Sequence, residues 1–265
     1  MFADCHTHLD QYDSGEMPGI LARAHSAGVG LIISAGTTVG SSGNCVGLAM
    51  QHPMIFAGVG IHPMDIRKPF YEADYASLKG LAIGCEKVLA MSEIGLDFME
   101  GTPSRDLQYN AFREQIRLAR ELSLPIVFHS REAHDETLRV LQEEKAYEVG
   151  AVMHYFQADE SVARKCLELD FYISLGRPLL RLPHLQKLVA SFPTERIVLE
   201  TDAFPQPFKK KRENWTEPRH IAEIASKVAE LKGIQAGEVE QFTTENMLRL
   251  LGKRAEIVKK HVSFK

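Results

Sequence analysis

His6 and His8 stand one residue apart in F-A-D-C-H-T-H-L-D, on a short apolar run near the start of the chain. Alternate residues of a strand point to one face, so both imidazoles can face the same way. Further donors follow other apolar runs: His62 in G-I-H-P, Glu93 and Asp97 in S-E-I-G-L-D, His129 in P-I-V-F-H, His154 in H-Y-F, and Glu200 and Asp202 in L-E-T-D. Imidazole combined with carboxylate suits zinc, manganese, iron or nickel. Four histidines and two acids exceed what one tetrahedral ion takes. They match two ions roughly 3.5–4 Å apart that share a carboxylate.

On this basis His6, His8, Glu93 and Asp202 are assigned to a first ion, and Glu93, His129 and His154 to a second. Asp202 can also take the proton of an attacking water, with Glu93 as the bridge between the two halves of the centre. His62 and Arg131 are candidate contacts for substrate phosphate. Glu200 and Asp97 are expected to orient ligands from behind. Asp4, by the same strand parity, should brace His6. His25, His52, His134, His184, His220 and His261 fall on helical or loop segments and read as surface residues.

Eight strands are expected to carry these groups: Phe2–Cys5, Val29–Ala35, Ile55–Ile61, Val88–Ile94, Pro125–His129, Gly150–His154, Phe171–Leu175 and Arg196–Thr201. They recur at intervals of about 20 to 35 residues, enough for a strand, a helix and two loops. Helical periodicity marks Met17–Ala27, Glu132–Lys145, Glu160–Leu169 and Pro183–Ser191. A further helix opens at Asp106 as its cap, with Tyr109, Phe112, Ile116 and Ala119 on one face. Two more helices, Pro218–Lys232 and Glu238–Leu251, follow the eighth strand. The expected class is α/β, a single (β/α)8 TIM barrel over residues 1–265 with additional C-terminal helices; an open doubly wound sheet is the alternative. A barrel places its chemistry at the C-terminal ends of the strands, where all the donors fall.

The composition excludes some partners. A net charge of −4 does not advertise a nucleic-acid surface. Lys209–Arg212 is the one basic cluster, a solvated loop or a hold on a phosphate backbone. Cys5, Cys45, Cys85 and Cys166 are scattered without a C-x-x-C pair, which fits reduced thiols in the cytoplasm. No run approaches the roughly 18 apolar residues of a membrane span, so no membrane partner is expected. Oligomeric state is not fixed, and a monomer is compatible with all of this.

With these motifs in this order, the chain resembles the TatD-related deoxyribonuclease family of metal-dependent hydrolases along essentially its whole length. The resemblance rests on D-C-H-T-H-L-D, G-I-H-P, S-E-I-G-L-D, P-I-V-F-H-S-R, H-Y-F and L-E-T-D. It implies that His6, His8, Glu93, His129, His154 and Asp202 bind two divalent ions with Glu93 bridging. It also implies hydrolysis of DNA phosphodiesters, as a 3′–5′ exonuclease on single-stranded ends. Related amidohydrolase barrels often bridge through a carboxylated lysine ending the fourth strand; here Glu93 stands there and Lys87 lies at the other end. Two loops depart from the family pattern, with Gln157 and Ala158 after H-Y-F, and E-T-D-A-F-P with its proline one place late. Imidazoles suit Mg²⁺ poorly, so zinc or manganese is expected as bound, with magnesium working in excess. Two other functions use the same residues: a deacylase, lactonase or amidase on a small ester or amide, and a non-catalytic metal-binding scaffold.

Overall fold

The computed structural model describes residues 1–262. Its eight parallel strands form one sheet in chain order: β1 (Phe2–Thr7), β2 (Val29–Ala35), β3 (Ile55–Val59), β4 (Val88–Asp97), β5 (Ile126–Arg131), β6 (Ala151–Met153), β7 (Tyr172–Leu175) and β8 (Ile197–Leu199). Closure runs through the segment after β8: Asp202 N–H donates to the His6 carbonyl, His8 N–H donates to the Ala203 carbonyl, and Thr7 bridges Ala203. The sheet is therefore a barrel, as the strand–helix alternation predicts.

The helices are α1 (Met17–Ser26), α2 (Val39–Gln51), α3 (Glu72–Gly84), α4 (Arg105–Glu121), α5 (His134–Glu143), α6 (Glu160–Glu168), α7 (Pro183–Ser191), α8 (Ile221–Lys232), α9 (Ala236–Leu251) and α10 (Ala255–His261). Three of these, α2, α3 and α10, were not expected. Gly40, Gly43 and Gly47 lower the helix propensity of α2. Its start is fixed instead by a capping box, in which Thr38 Oγ1 accepts from Ser41 N–H and Ser41 Oγ from Thr38 N–H. Asp106 is not the cap of α4; Ser104 holds that place and Asp106 sits in the first turn, where its charge suits the helix N-terminus.

The barrel interior is filled by Cys5, Leu31, Phe56, Leu89, Val127 and Val152 among others, and α9 and α10 add Met247, Leu250 and Val258 to the same cluster. The C-terminal helices thus stop one end of the barrel. Burying a side chain as large as Phe56 contributes about 1.5–3 kcal/mol. Lys87 lies at this closed end, donating to the carbonyls of Ala49, His52 and Pro53 with its ammonium 4.8 Å from the Phe56 ring centre. It has no place at the site, in agreement with its position ahead of β4.

At the opposite end β4 and β5 run three residues and two residues past their expected limits, to Asp97 and Arg131. The extension depends on Gly95, which pairs with His129 at φ 156°. A Cβ there would overlap the His129 carbonyl, so only glycine lets the strands approach this closely. That contact sets Glu93 and Asp97 beside His129.

Candidate metal centre

The donors converge on the open end of the barrel in two overlapping groups around the oxygens of Glu93, His154 also lying with His6 and Asp202. In the first group His6 Nε2 lies 3.3 Å from His8 Nε2 and 3.4 Å from Glu93 Oε2. His8 Nε2 lies 3.6 Å from Glu93 Oε2 and 3.5 Å from Asp202 Oδ1, while His6 Nε2 is 4.0 Å from Asp202 Oδ1. Four donors about 2.0–2.1 Å from a tetrahedral ion would stand roughly 3.3–3.4 Å from one another. The group is spaced close to that. His8 Nδ1 is 3.0 Å from the Ala35 carbonyl, so it carries the ring proton and leaves the Nε2 lone pair facing the other donors.

The second group is drawn together by hydrogen bonds. Glu93 Oε1 is 2.7 Å from His154 Nε2, 2.9 Å from His129 Nδ1 and 3.3 Å from His62 Nε2. Behind it, Asp97 Oδ2 is 3.0 Å from His129 Nε2 and 2.7 Å from Arg131 Nη2. His154 Nδ1 and Glu200 Oε1 face each other at 3.4 Å, both buried and with no better partner. Asp97 and Glu200 thus stand behind His129 and His154.

The charges reinforce this arrangement. Burial would push the Glu93 carboxyl up, but His154, His62 and His129 outweigh it and hold Glu93 well below the usual carboxylate range. Burial lowers His154 too, yet the Glu93 and Glu200 carboxylates raise it well above an ordinary imidazole. Asp97, against its burial, is held low by His129 and Arg131. His6 is pushed down by burial and by His154, which favours the neutral ring a metal ligand needs.

Some expected contacts differ. His62 Nδ1 accepts the Met64 N–H, so its Nε2 bears the proton and donates to Glu93 rather than waiting free for phosphate. Arg131 places Nε and Nη2 on the same Asp97 oxygen, at 2.8 and 2.7 Å, yet still lines the cavity. Asp4 accepts from the N–H and hydroxyl of Thr201, at 2.9 and 2.6 Å, so it fixes the segment between Glu200 and Asp202 rather than the His6 ring. Of the histidines read as surface residues, His25, His184 and His261 are exposed, but His52, His134 and His220 are half-buried. His134 even lines the cavity, its Nδ1 2.9 Å from Ser130 Oγ. In the basic cluster, Arg212 is paired with Glu16 and Glu217, while Lys210 and Lys211 are exposed.

The cavity above the donors measures about 470 Å³, and Tyr155, Gln157 and Ala158 share its wall with His154 and Asp202. Two of these residues, Tyr155 and Asp202, have φ of 49°. Asp tolerates this left-handed conformation; a tyrosine there is an outlier. Neither conformation has a signal in residue type or spacing.

The family model described as TatD related DNase matches residues 3–252. The chain belongs to that family. YabD of Bacillus subtilis, an uncharacterized metal-dependent hydrolase, is 35% identical over 257 residues, covering 94% of this chain and 98% of that one. The 3′-5′ ssDNA/RNA exonuclease TatD of Cronobacter sakazakii is 33% identical over 253 residues, covering 92% of this chain and 94% of that one. Among solved structures, the TatD homologue YjjV of Escherichia coli K12 superposes with a TM-score of 0.85 at 29% identity, covering 94% of this chain and 97% of that one. Membership of the TatD family agrees with the barrel and with the His, Glu and Asp groups that could hold metal.

Proposed function

We propose that this TatD-family metal-dependent hydrolase cleaves phosphodiester bonds of single-stranded DNA from the 3′ end. His6, His8, Glu93 and Asp202 would hold one divalent ion, and Glu93, His129 and His154 a second. One observation carries the reading: the two oxygens of Glu93 face different donor groups, Oε2 towards His6 and His8, Oε1 towards His129 and His154. That is the disposition of a bridging carboxylate. Zinc or manganese fits this imidazole-rich set better than magnesium, which would need to be in excess.

Divalent ions held there would supply Lewis acidity, lowering the pKa of water towards neutrality and offsetting phosphoryl charge. The chain's own groups do the rest. Asp202, in the cavity wall and only partly exposed, accepts the proton of the attacking water. Arg131, oriented by Asp97, presents its remaining N–H groups to a phosphate oxygen. His62 donates to Glu93 and holds that carboxylate ionised, and its expected phosphate contact would require it to turn away. Asp97 and Glu200 keep the rings of His129 and His154 in place. At about 470 Å³ the cavity is of a size for single nucleotide units rather than a duplex.

The C. sakazakii relative's description as a 3′-5′ ssDNA/RNA exonuclease supports this choice over a small-ester substrate. The four buried, free cysteines fit a cytoplasmic setting, and no described helix is long and apolar enough to cross a membrane. A monomer acting as a single module over residues 1–265 is sufficient for this chemistry. The test is hydrolysis of labelled single-stranded oligonucleotides by purified protein with Mn²⁺ or Mg²⁺. Stepwise release of mononucleotides from the 3′ end is expected. Intact DNA alongside hydrolysis of a lactone or carboxylic ester would overturn the reading in favour of a small-substrate hydrolase.

A further inference from the structure

Apart from Arg131 in the cavity wall, the loops at the open end of the barrel carry opposite charge on two sides. After β5 and β6 the loops expose Glu132, Asp135, Asp159 and Glu160. After β7 and β8 they carry Arg177, Arg181 and Lys209–Lys211. These cations are poorly paired: Arg177 is 3.9 Å from Glu223 and Lys211 3.8 Å from Glu213, and Arg181 and Lys210 have no ion pair among the described residues. Within this set Lys209 lies close enough to Arg177 that, after burial, the guanidinium charge pushes it down. Like charges gathered on one edge are costly unless a polyanion compensates them.

Two aromatic faces flank this edge. At its inner end the Tyr155 ring packs on Gly176, where an added Cβ would come within 3.2 Å of it, and the Arg181 guanidinium lies beside the Tyr155 hydroxyl. At its outer end Phe208 is 73% exposed, immediately before the three lysines. The base of that loop is pinned. Arg212 pairs with Glu16 and Glu217 and lies over the rings of Tyr12 and Trp215, 5.5 and 4.5 Å from their centres. Phe208 is therefore held out from an anchored loop. A large apolar side chain so placed has no partner within the described fold.

We propose that the β7–β8 sector is a track for a single-stranded polynucleotide. Bases stack on Tyr155 and Phe208, while Arg181, Lys210 and Lys211 take the phosphates between them. The strand then leaves the cavity away from the acidic β5–β6 side. Alternating aromatic and cationic contacts are how proteins hold single strands without reading sequence. This inference rests on the phosphodiesterase reading and adds that the substrate is a strand of several nucleotides.

The test compares kcat/KM for a short oligothymidylate with kcat/KM for thymidine 5′-(p-nitrophenyl phosphate), which has one phosphate and no neighbouring nucleotides. In Phe208→Ala, and in Lys210→Gln combined with Lys211→Gln, the oligonucleotide-to-ester ratio should fall about tenfold. The lysine variant should also flatten the salt dependence of oligonucleotide KM, by about 0.7 in log–log slope per lost contact, and arginine at both positions should restore it. An unchanged ratio and slope in folded variants would overturn the track and leave the nuclease reading standing. A wild-type protein that cleaves neither substrate would remove both. Loss of binding to phosphatidylserine vesicles in these variants, with the oligonucleotide ratio unchanged, would reassign the surface to an anionic membrane and overturn the track.

Discussion

The two halves of the donor cluster use the same residue types at different spacings. Around Glu93 Oε2 the contacts among His6, His8 and the carboxylate run from 3.3 to 3.6 Å; around Oε1 the contacts to His154 and His129 are 2.7 and 2.9 Å. The support behind them differs too. His8 leans on a neutral carbonyl, that of Ala35, whereas His129 and His154 are backed by the carboxylates of Asp97 and Glu200. Neutral backing leaves a lone pair ready for a cation. Anionic backing makes the ring a stronger donor once neutral but also raises its pKa, so that a proton competes with the cation. The first half should therefore keep its ion to lower pH than the second.

Removing the shared residue should erase the contrast. Glu93→Gln is expected to lose both ions by elemental analysis and to bring hydrolysis below detection. His129→Ala should instead cost one equivalent of metal and retain the other, whereas equal loss from both halves would contradict their separation. Gly95→Ala would force β4 from His129 and should destabilise the protein by several kcal/mol, read as a lowered melting temperature. Asp97→Asn keeps the shape but removes the charge behind His129. Affinity for the second equivalent should fall roughly 10- to 100-fold in a metal titration, with the first little changed.

The smallest effect lies away from the cluster, at a buried carboxylate. Glu217 is 2% exposed, and although burial pushes it up, Arg23, Arg212 and Arg219 hold it below the ordinary glutamate range. A depressed carboxyl contributes stability that is present above its unfolded pKa and is lost as pH falls through its folded value. Glu217→Gln should cost about 2 kcal/mol near neutral pH and flatten the acid side of the stability profile. Parallel wild-type and variant profiles in urea denaturation would contradict this.

The sequence made the donors legible because each combined residue type with place. His6 and His8 end a strand at alternate positions, and Glu93 is a carboxylate inside an apolar run that could not be buried unpaired. The eight-fold alternation then put every donor on one rim. What stayed hidden depends on contacts between distant segments or on backbone detail. Asp4 could not be paired with Thr201 until the barrel closed between β1 and β8. The proton on His62 Nε2 follows from a turn that sends the Met64 N–H to Nδ1. His134 entered the cavity wall because the β5–α5 turn brings it back to Ser130. The glycines of α2 masked a helix that its cap determines.

Whether Glu93 joins two ion sites can be read by anomalous diffraction from crystals of the manganese- or zinc-loaded protein. Two peaks are expected roughly 3.5–4 Å apart, each in contact with a different oxygen of Glu93. A single peak among His6, His8 and Asp202, with Glu93 Oε1 still hydrogen-bonded to His129 and His154, would contradict this.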